Sequence, residues 1–216
     1  MGYTKHEWKQ ERYFNFKYAK YLPKDFDENK KYPLVIFLHG AGERSNDDLD
    51  IGMRHGYMKY IREENREYPF ICVAPLCPED KYWGCYTESL IAFIDYIEET
   101  LPIDKSRIYL TGLSMGGTGT YMLAMADRDR YAALMPVCGS GIYWYAHTLK
   151  NIPIYICHGD CDEIVPIVES VNMLNQINGA GGNAKLKICY GVKHDCWDIA
   201  YTDEEMLDWL LSQKKK

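Results

Sequence analysis

Short, nearly unbroken apolar runs recur along the chain, at Leu34–Leu38, Phe70–Ala74, Ile108–Leu110, Ala133–Cys138, Ile154–Cys157 and Leu186–Tyr190. Runs of this length with little polar alternation predict strands covered on both faces. Longer segments of helical period lie between them. Ser89–Leu101 carries Leu90, Phe93, Ile94 and Ile97 on one stripe and is closed by Pro102, and Gly117–Ala126, Pro166–Ile177 and Asp203–Leu211 follow the same pattern. Alternation of this kind predicts parallel strands joined by crossover helices, an α/β architecture. Ahead of the first apolar run, Tyr13–Tyr21 sets Tyr13, Asn15, Lys17 and Ala19 on one side and Phe14, Phe16, Tyr18 and Lys20 on the other. That period of two predicts antiparallel edge strands.

No Ser/Gly/Pro-rich linker and no repeat divides the 216 residues. The expectation is one domain over residues 1–216, with 1–31 as edge strands leading into the core. No apolar run is long enough to cross a bilayer, so no membrane partner is expected. A net charge of −6 leaves no positive field for nucleic acid. The segment before Phe14 is too charged for a secretory leader, and His6 stands where N-myristoylation requires Ser or Thr. A cytoplasmic protein is expected. The eight cysteines show neither C-x-x-C pairs nor zinc-finger spacing, so no metal site is expected. Cys72, Cys138, Cys157 and Cys189 fall inside apolar runs and are read as buried free thiols. Cys77, Cys85, Cys161 and Cys196 fall in loops, where an exported protein would have them available for bridges.

The chemistry concentrates at Tyr109-Leu110-Thr111-Gly112-Leu113-Ser114-Met115-Gly116-Gly117, where an apolar strand enters a helix through G-x-S-x-G. Composition alone predicts only about 0.04 such matches in a chain like this one. The spacing has a physical cause. A sharp strand-to-helix turn holds the serine in a strained conformation, and small residues on either side let the backbones approach.

A serine at neutral pH needs a base and a group to orient that base. Among the histidines after Ser114, His194 lies in Gly191–Trp197, between the last strand and the final helix, where this architecture puts the base. His158 and His39 each end a strand before a glycine and are read as structural imidazoles. Gly159–Pro166 carries three carboxylates, of which Asp162 is the chosen acid. Asp160 is the runner-up, with the competing role of bracing its turn. Asp162 gives the order Ser, Asp, His of α/β hydrolases. For the oxyanion, the backbone N–H groups of Met115 and Ala41 are the candidates, the second within His39-Gly40-Ala41-Gly42-Glu43-Arg44.

The segments LHGAGER, GLSMGG, HGDCDEIVP and GVKHDCWDIAY resemble α/β-hydrolase esterases, the branch of dienelactone-hydrolase-like carboxylesterases and "predicted peptidases". The resemblance runs from about Tyr32 onward. It implies an α/β-hydrolase fold, a mostly parallel central sheet flanked by helices. It also implies Ser114, Asp162 and His194 as catalytic residues, Ala41 and Met115 as oxyanion donors, and no cofactor. The family includes esterases that remove acyl or feruloyl groups from polysaccharides, so the implied substrate is a small-molecule or carbohydrate ester. About 15 residues separate the fourth and fifth of the core strands, too few for a large helical cap. Trp83, Tyr143, Trp144 and Trp197, in loops expected at the site, are read as an aromatic substrate wall. A serine peptidase, a perhydrolase or a non-catalytic ligand-binding homologue would share the same constellation.

Overall fold

A computed structural model describes residues 2–215. In chain order the elements are β1 (Thr4–Trp8), β2 (Phe16–Tyr21), β3 (Tyr32–Leu38), α1 (Gly56–Glu64), β4 (Ile71–Pro75), α2 (Thr87–Thr100) and β5 (Ile103–Leu113). They continue with α3 (Met115–Ala126), β6 (Ala133–Val137), β7 (Ile154–Gly159), α4 (Val168–Gly179), β8 (Ala184–Cys189), α5 (Trp197–Thr202) and α6 (Glu204–Ser212). One eight-stranded sheet runs in the order β1-β2-β4-β3-β5-β6-β7-β8. The pairs β1–β2 and β2–β4 are antiparallel, and every pair from β4 across to β8 is parallel. The fold is that of an α/β hydrolase.

For the five inner parallel strands, β3 to β7, the unbroken apolar runs have the cause the pattern suggested; β8, at the edge of the sheet, is only half-buried along its middle and Tyr190 beyond it is exposed. Along β3, Leu34, Ile36 and Leu38 enter one core with α2, α3 and α4, while Val35 and Phe37 enter a second with α1, α5 and α6. Each strand residue is therefore buried whichever way it points, and alternation disappears. At the antiparallel edge, the rings of Trp8, Phe16 and Tyr18 gather on Phe93 of α2, at centroid distances of 5.7, 5.7 and 4.9 Å. The first edge strand lies earlier than the aromatic stretch suggested, at Thr4–Trp8, paired in register with Phe16–Lys20.

All eight cysteines are unpaired. Cys77 and Cys196, read as loop thiols available for bridges, are buried, and only Cys85 and Cys161 are exposed. Both buried loop thiols behave as small hydrophobes. Among the described residues, no helix is long and apolar enough to cross a membrane.

Candidate active site

Ser114 sits between β5 and α3 with φ 53° and ψ −117°, outside the favoured regions for a residue with a Cβ. The strain is held by close packing on both sides. A Cβ on Gly116 would stand 1.8 Å from the Leu38 carbonyl oxygen, and one on Gly112 would stand 2.4 Å from that of Gly116. Only glycine lets the first turn of α3 rest on the end of β3, and the Ser114 side chain is thereby raised above the strand ends.

The loop after β8 brings His194 to it. His194 Nε2 is 2.8 Å from Ser114 Oγ, and His194 Nδ1 is 2.7 Å from Asp162 Oδ2. A carboxylate can only accept, so Nδ1 carries the hydrogen and Nε2 is left to accept the Ser114 hydroxyl proton. Asp162 follows β7. Its Oδ1 accepts the N–H groups of Ile164 and Val165, both at 2.9 Å. Burial pushes the Asp162 carboxyl up, but the His194 hydrogen bond and the Val165 and Ile164 amides outweigh it and hold the group below its ordinary value. Asp160 instead accepts Gly191 N–H at 2.7 Å, bracing the turn that leads toward His194.

The turn after β3 is equally ordered. His39 is buried, and its Nδ1–H donates to Gly40 O at 2.8 Å while its Nε2 accepts Cys77 N–H at 3.0 Å. Gly40 O and Ala41 N–H belong to one trans peptide and point opposite ways. Fixing the first therefore aims the second. Glu43 Oε2 accepts Gly40 N–H at 2.8 Å, and Arg44 Nε donates to Ala41 O at 2.9 Å. The N–H groups of Ala41 and Met115 have no acceptor among the described residues. Two unpartnered donors thus flank the contact of α3 with the end of β3, suited to an oxygen that gains negative charge.

The aromatic residues divide. Trp197 is half-buried with its ring perpendicular to that of His194, 5.6 Å between centroids. Tyr143 and Trp144 are exposed, edge to face at 5.1 Å, on the 3-10 segment that follows β6; this segment and the residues around it form no helical cap. Trp83 is a correction. It is 1% exposed, with its Nε1–H donating to His39 O at 2.9 Å and its ring beneath Gly119 of α3. It supports the end of β3 from below and meets no solvent, so it forms no part of a substrate wall. His147 lies away from these residues, beside the end of α3 and the approach to β7, lining a hollow of about 690 Å³ with Arg128 and Lys150.

Two further histidines lie near the site, His158 at the end of β7 and His55 just before α1. His158, read as a structural imidazole, is completely buried and touches Asp162. His55 faces Trp197 at 5.0 Å, with Glu43 Oε1 3.7 Å from its Nε2. Among the described residues no group of three or more His, Cys, Asp or Glu side chains could hold a metal ion.

Comparison with known proteins places this geometry. Residues 85–203 match the phospholipase/carboxylesterase family model. A thermostable esterase of known structure superposes with a TM-score of 0.87 at 30% identity, over 98% of this chain and 63% of that one. Endo-1,4-beta-xylanase Y of Acetivibrio thermocellus is 31% identical over 61% of this chain and 13% of its own length. A probable feruloyl esterase C of Aspergillus terreus is 29% identical over 74% of this chain and 59% of its own. The chain thus spans less than two thirds of each of these three. Est1E from Butyrivibrio proteoclasticus shares the fold, with a TM-score of 0.72 at 19% identity. With the family model covering more than half of its residues, on a sheet that carries G-x-S-x-G at the strand-to-helix turn, the chain belongs to the phospholipase/carboxylesterase family of α/β hydrolases.

Proposed function

We propose that the protein is a serine carboxylesterase that cleaves acyl esters carried by carbohydrates, through an acyl-enzyme. The observation that carries the reading is the unbroken series Ser114 Oγ, His194 and Asp162, with both links under 3 Å, at the turn after β5. Ser114 Oγ attacks the ester carbonyl carbon as its proton passes to His194 Nε2. The carbonyl oxygen takes the negative charge and is met by the Ala41 and Met115 N–H groups. His194 returns the proton to the departing alcohol oxygen as the C–O bond breaks. Water, deprotonated by the same nitrogen, then releases the acid and regenerates the hydroxyl. Asp162 holds the imidazole with Nδ1–H toward itself throughout. No step calls for a cofactor.

The relatives named for feruloyl ester and xylan chemistry support a carbohydrate-linked acyl ester as substrate. The exposed Tyr143 and Trp144, together with Trp197 against His194, supply aromatic surface for a phenolic acyl group or a sugar ring. The continuous sheet through the described residues supports one catalytic unit.

Ser114→Ala tests the assignment. The variant is expected to keep the wild-type melting temperature, to lose turnover of aryl acetate and methyl ferulate by at least about 10³-fold, and to lose labelling by a fluorophosphonate. Retained turnover overturns the nucleophile. A wild type that cleaves a dipeptide anilide faster than either ester overturns the esterase reading.

A further inference from the structure

His158 is a titratable side chain with no solvent exposure, and the reaction just described makes no use of it. It stands at the end of β7, four residues before Asp162. Its Nε2 faces two oxygens, the Val165 carbonyl at 2.8 Å and Asp162 Oδ2 at 3.1 Å. Neither can donate, so Nε2 carries a hydrogen shared between them. Its Nδ1 is 2.6 Å from Ser170 Oγ, itself fully buried in the first turn of α4. That leaves Nδ1 to accept the Ser170 hydroxyl proton. The hydrogen-bonded series does not stop at the carboxylate. It runs Ser114, His194, Asp162, His158, Ser170, with both imidazoles donating to the same oxygen, Oδ2.

Resting on the assignment of His194 as base, we propose that His158 is a positioning residue that shares Asp162 Oδ2 and thereby limits how strongly the carboxylate holds His194 in its protonated form. The physical reason is competition. Oδ1 is already anchored by two backbone amides, so the carboxylate cannot turn away. Each donor on Oδ2 then draws on the same negative charge. With His158 donating, His194 gains less from taking up a proton and remains an acceptor for the serine proton at lower pH. Ser170 strengthens the effect, because a proton donated to Nδ1 polarises the ring toward its Nε2–H.

The other titratable groups around this series are few. Cys138 lies beside Asp162, and Cys196 beside His158. His55, with Glu43, lies against Trp197. Asp160 is turned to Gly191, and Glu163, Lys193 and Asp195 are exposed.

The test uses the two amide side chains that imitate one ring nitrogen each. In His158→Asn the amide reaches the place of Nδ1 and leaves Asp162 Oδ2 without its second donor. In His158→Gln it reaches the place of Nε2 and keeps that donor. The pH dependence of kcat/KM for an aryl acetate is measured for both, with the fluorophosphonate labelling rate as a reading independent of substrate. His158→Asn is expected to move the acid limb to higher pH by about 0.5–1 unit, with KM unchanged and plateau kcat within about threefold of wild type. His158→Gln is expected to restore the wild-type limb. Ser170→Ala, which keeps the ring, is expected to move the limb the same way by a smaller step, and it decides the matter if His158→Asn does not fold. A limb that stays or moves to lower pH in the Asn variant, identical limbs in Asn and Gln, or an unmoved limb in Ser170→Ala overturns the proposal. Ser114→Ala run alongside separates the cases. Activity surviving in that variant sinks the assignment of the nucleophile, whereas its loss with unmoved limbs sinks only the role given to His158.

Discussion

Two His-Gly turns leave the sheet at the strand ends that carry the candidate site, one after β3 and one at the end of β7, and they use the same dipeptide for opposite purposes. His39 donates through Nδ1 to Gly40 O and accepts at Nε2 from Cys77 N–H. His158 donates through Nε2 toward Val165 O and Asp162 and faces Ser170 with Nδ1. Each ring is buried, and in each the neighbours dictate which nitrogen bears the hydrogen. In the first turn that hydrogen orders a peptide plane and aims the Ala41 N–H. In the second it reaches a side-chain carboxylate. A buried imidazole is one of few side chains that can donate at one end and accept at the other, and this makes it a rigid brace between a strand end and the loop that follows.

The glycines that follow the histidines offer the largest break in the comparison. A Cβ on Gly159 would stand 2.2 Å from Lys193 O and 2.3 Å from Val192 O, the backbone that carries His194. A Cβ on Gly40 would meet Glu43 Oε2 at 2.7 Å and Leu113 Cδ1 at 2.8 Å, both ends of flexible side chains. Gly159→Ala is therefore expected to displace His194 and, with it in the proposed role of base, to cost about 10²-fold or more in kcat/KM, whereas Gly40→Ala costs no more than about tenfold. Steady-state kinetics on the two variants, with melting temperatures to control for folding, check the contrast. Equal losses would mean that the turn after β7 yields as easily as the turn after β3.

Much of this was legible in the chain. The inner strands follow from apolar runs whose cause, burial on both faces, leaves its mark on β3 from Pro33 to Leu38. The serine turn was legible because a close approach such as that of Gly116 to Leu38 permits one residue type, and the spacing records it. Loop burial was not legible. Trp83, Cys77 and Cys196 lie in segments without a period, and only the packed tertiary structure decides which face of a loop turns inward. The α1 helix was missed for a related reason. It begins at Gly56, with φ +68°, where a Cβ would collide with the Phe37 ring, so the residue that opens the helix reads in isolation as a breaker. His39 and His158 were placed correctly at strand ends. Their partners, a peptide oxygen in one case and a carboxylate in the other, depend on loop geometry that a period cannot report.

The two turns should also separate in acid. Burial, only partly opposed by the bond to Gly40 and reinforced by Arg44, lowers the His39 value from 6.5 to about 4. As pH falls below 6.5 the unfolded chain takes up a proton that the folded chain refuses, so stability declines until about pH 4. A shift of that size corresponds to about 3 kcal/mol. Asp162 acts in the same direction but in a lower window. Its value is depressed, so its contribution is intact above 3.8 and is lost only as pH drops through the still lower folded value. Urea unfolding between pH 7 and 4 is expected to show the decline in wild type. In His39→Asn, whose amide can keep the Gly40 bond without titrating, most of it should disappear. Parallel declines in the two proteins would assign the acid sensitivity elsewhere.

The finest contrast concerns what completes each turn. Asp162 is anchored by two backbone amides on Oδ1, whereas Gly40 N–H is held by one side chain, Glu43. Glu43 Oε1 is too far from His55 Nε2, at 3.7 Å, for a hydrogen bond to share that load. In Glu43→Gln a neutral amide oxygen replaces a carboxylate as the acceptor, which weakens the bond without removing it, by about 1 kcal/mol. Because the turn it holds carries the Ala41 N–H, the loss should fall on the charged intermediate rather than on substrate binding. The expected result is a kcat lower by about fivefold with KM unchanged, since about 1 kcal/mol of transition-state stabilisation corresponds to a factor of that size. A rise in KM at constant kcat would place Glu43 against the bound ester instead of behind the turn.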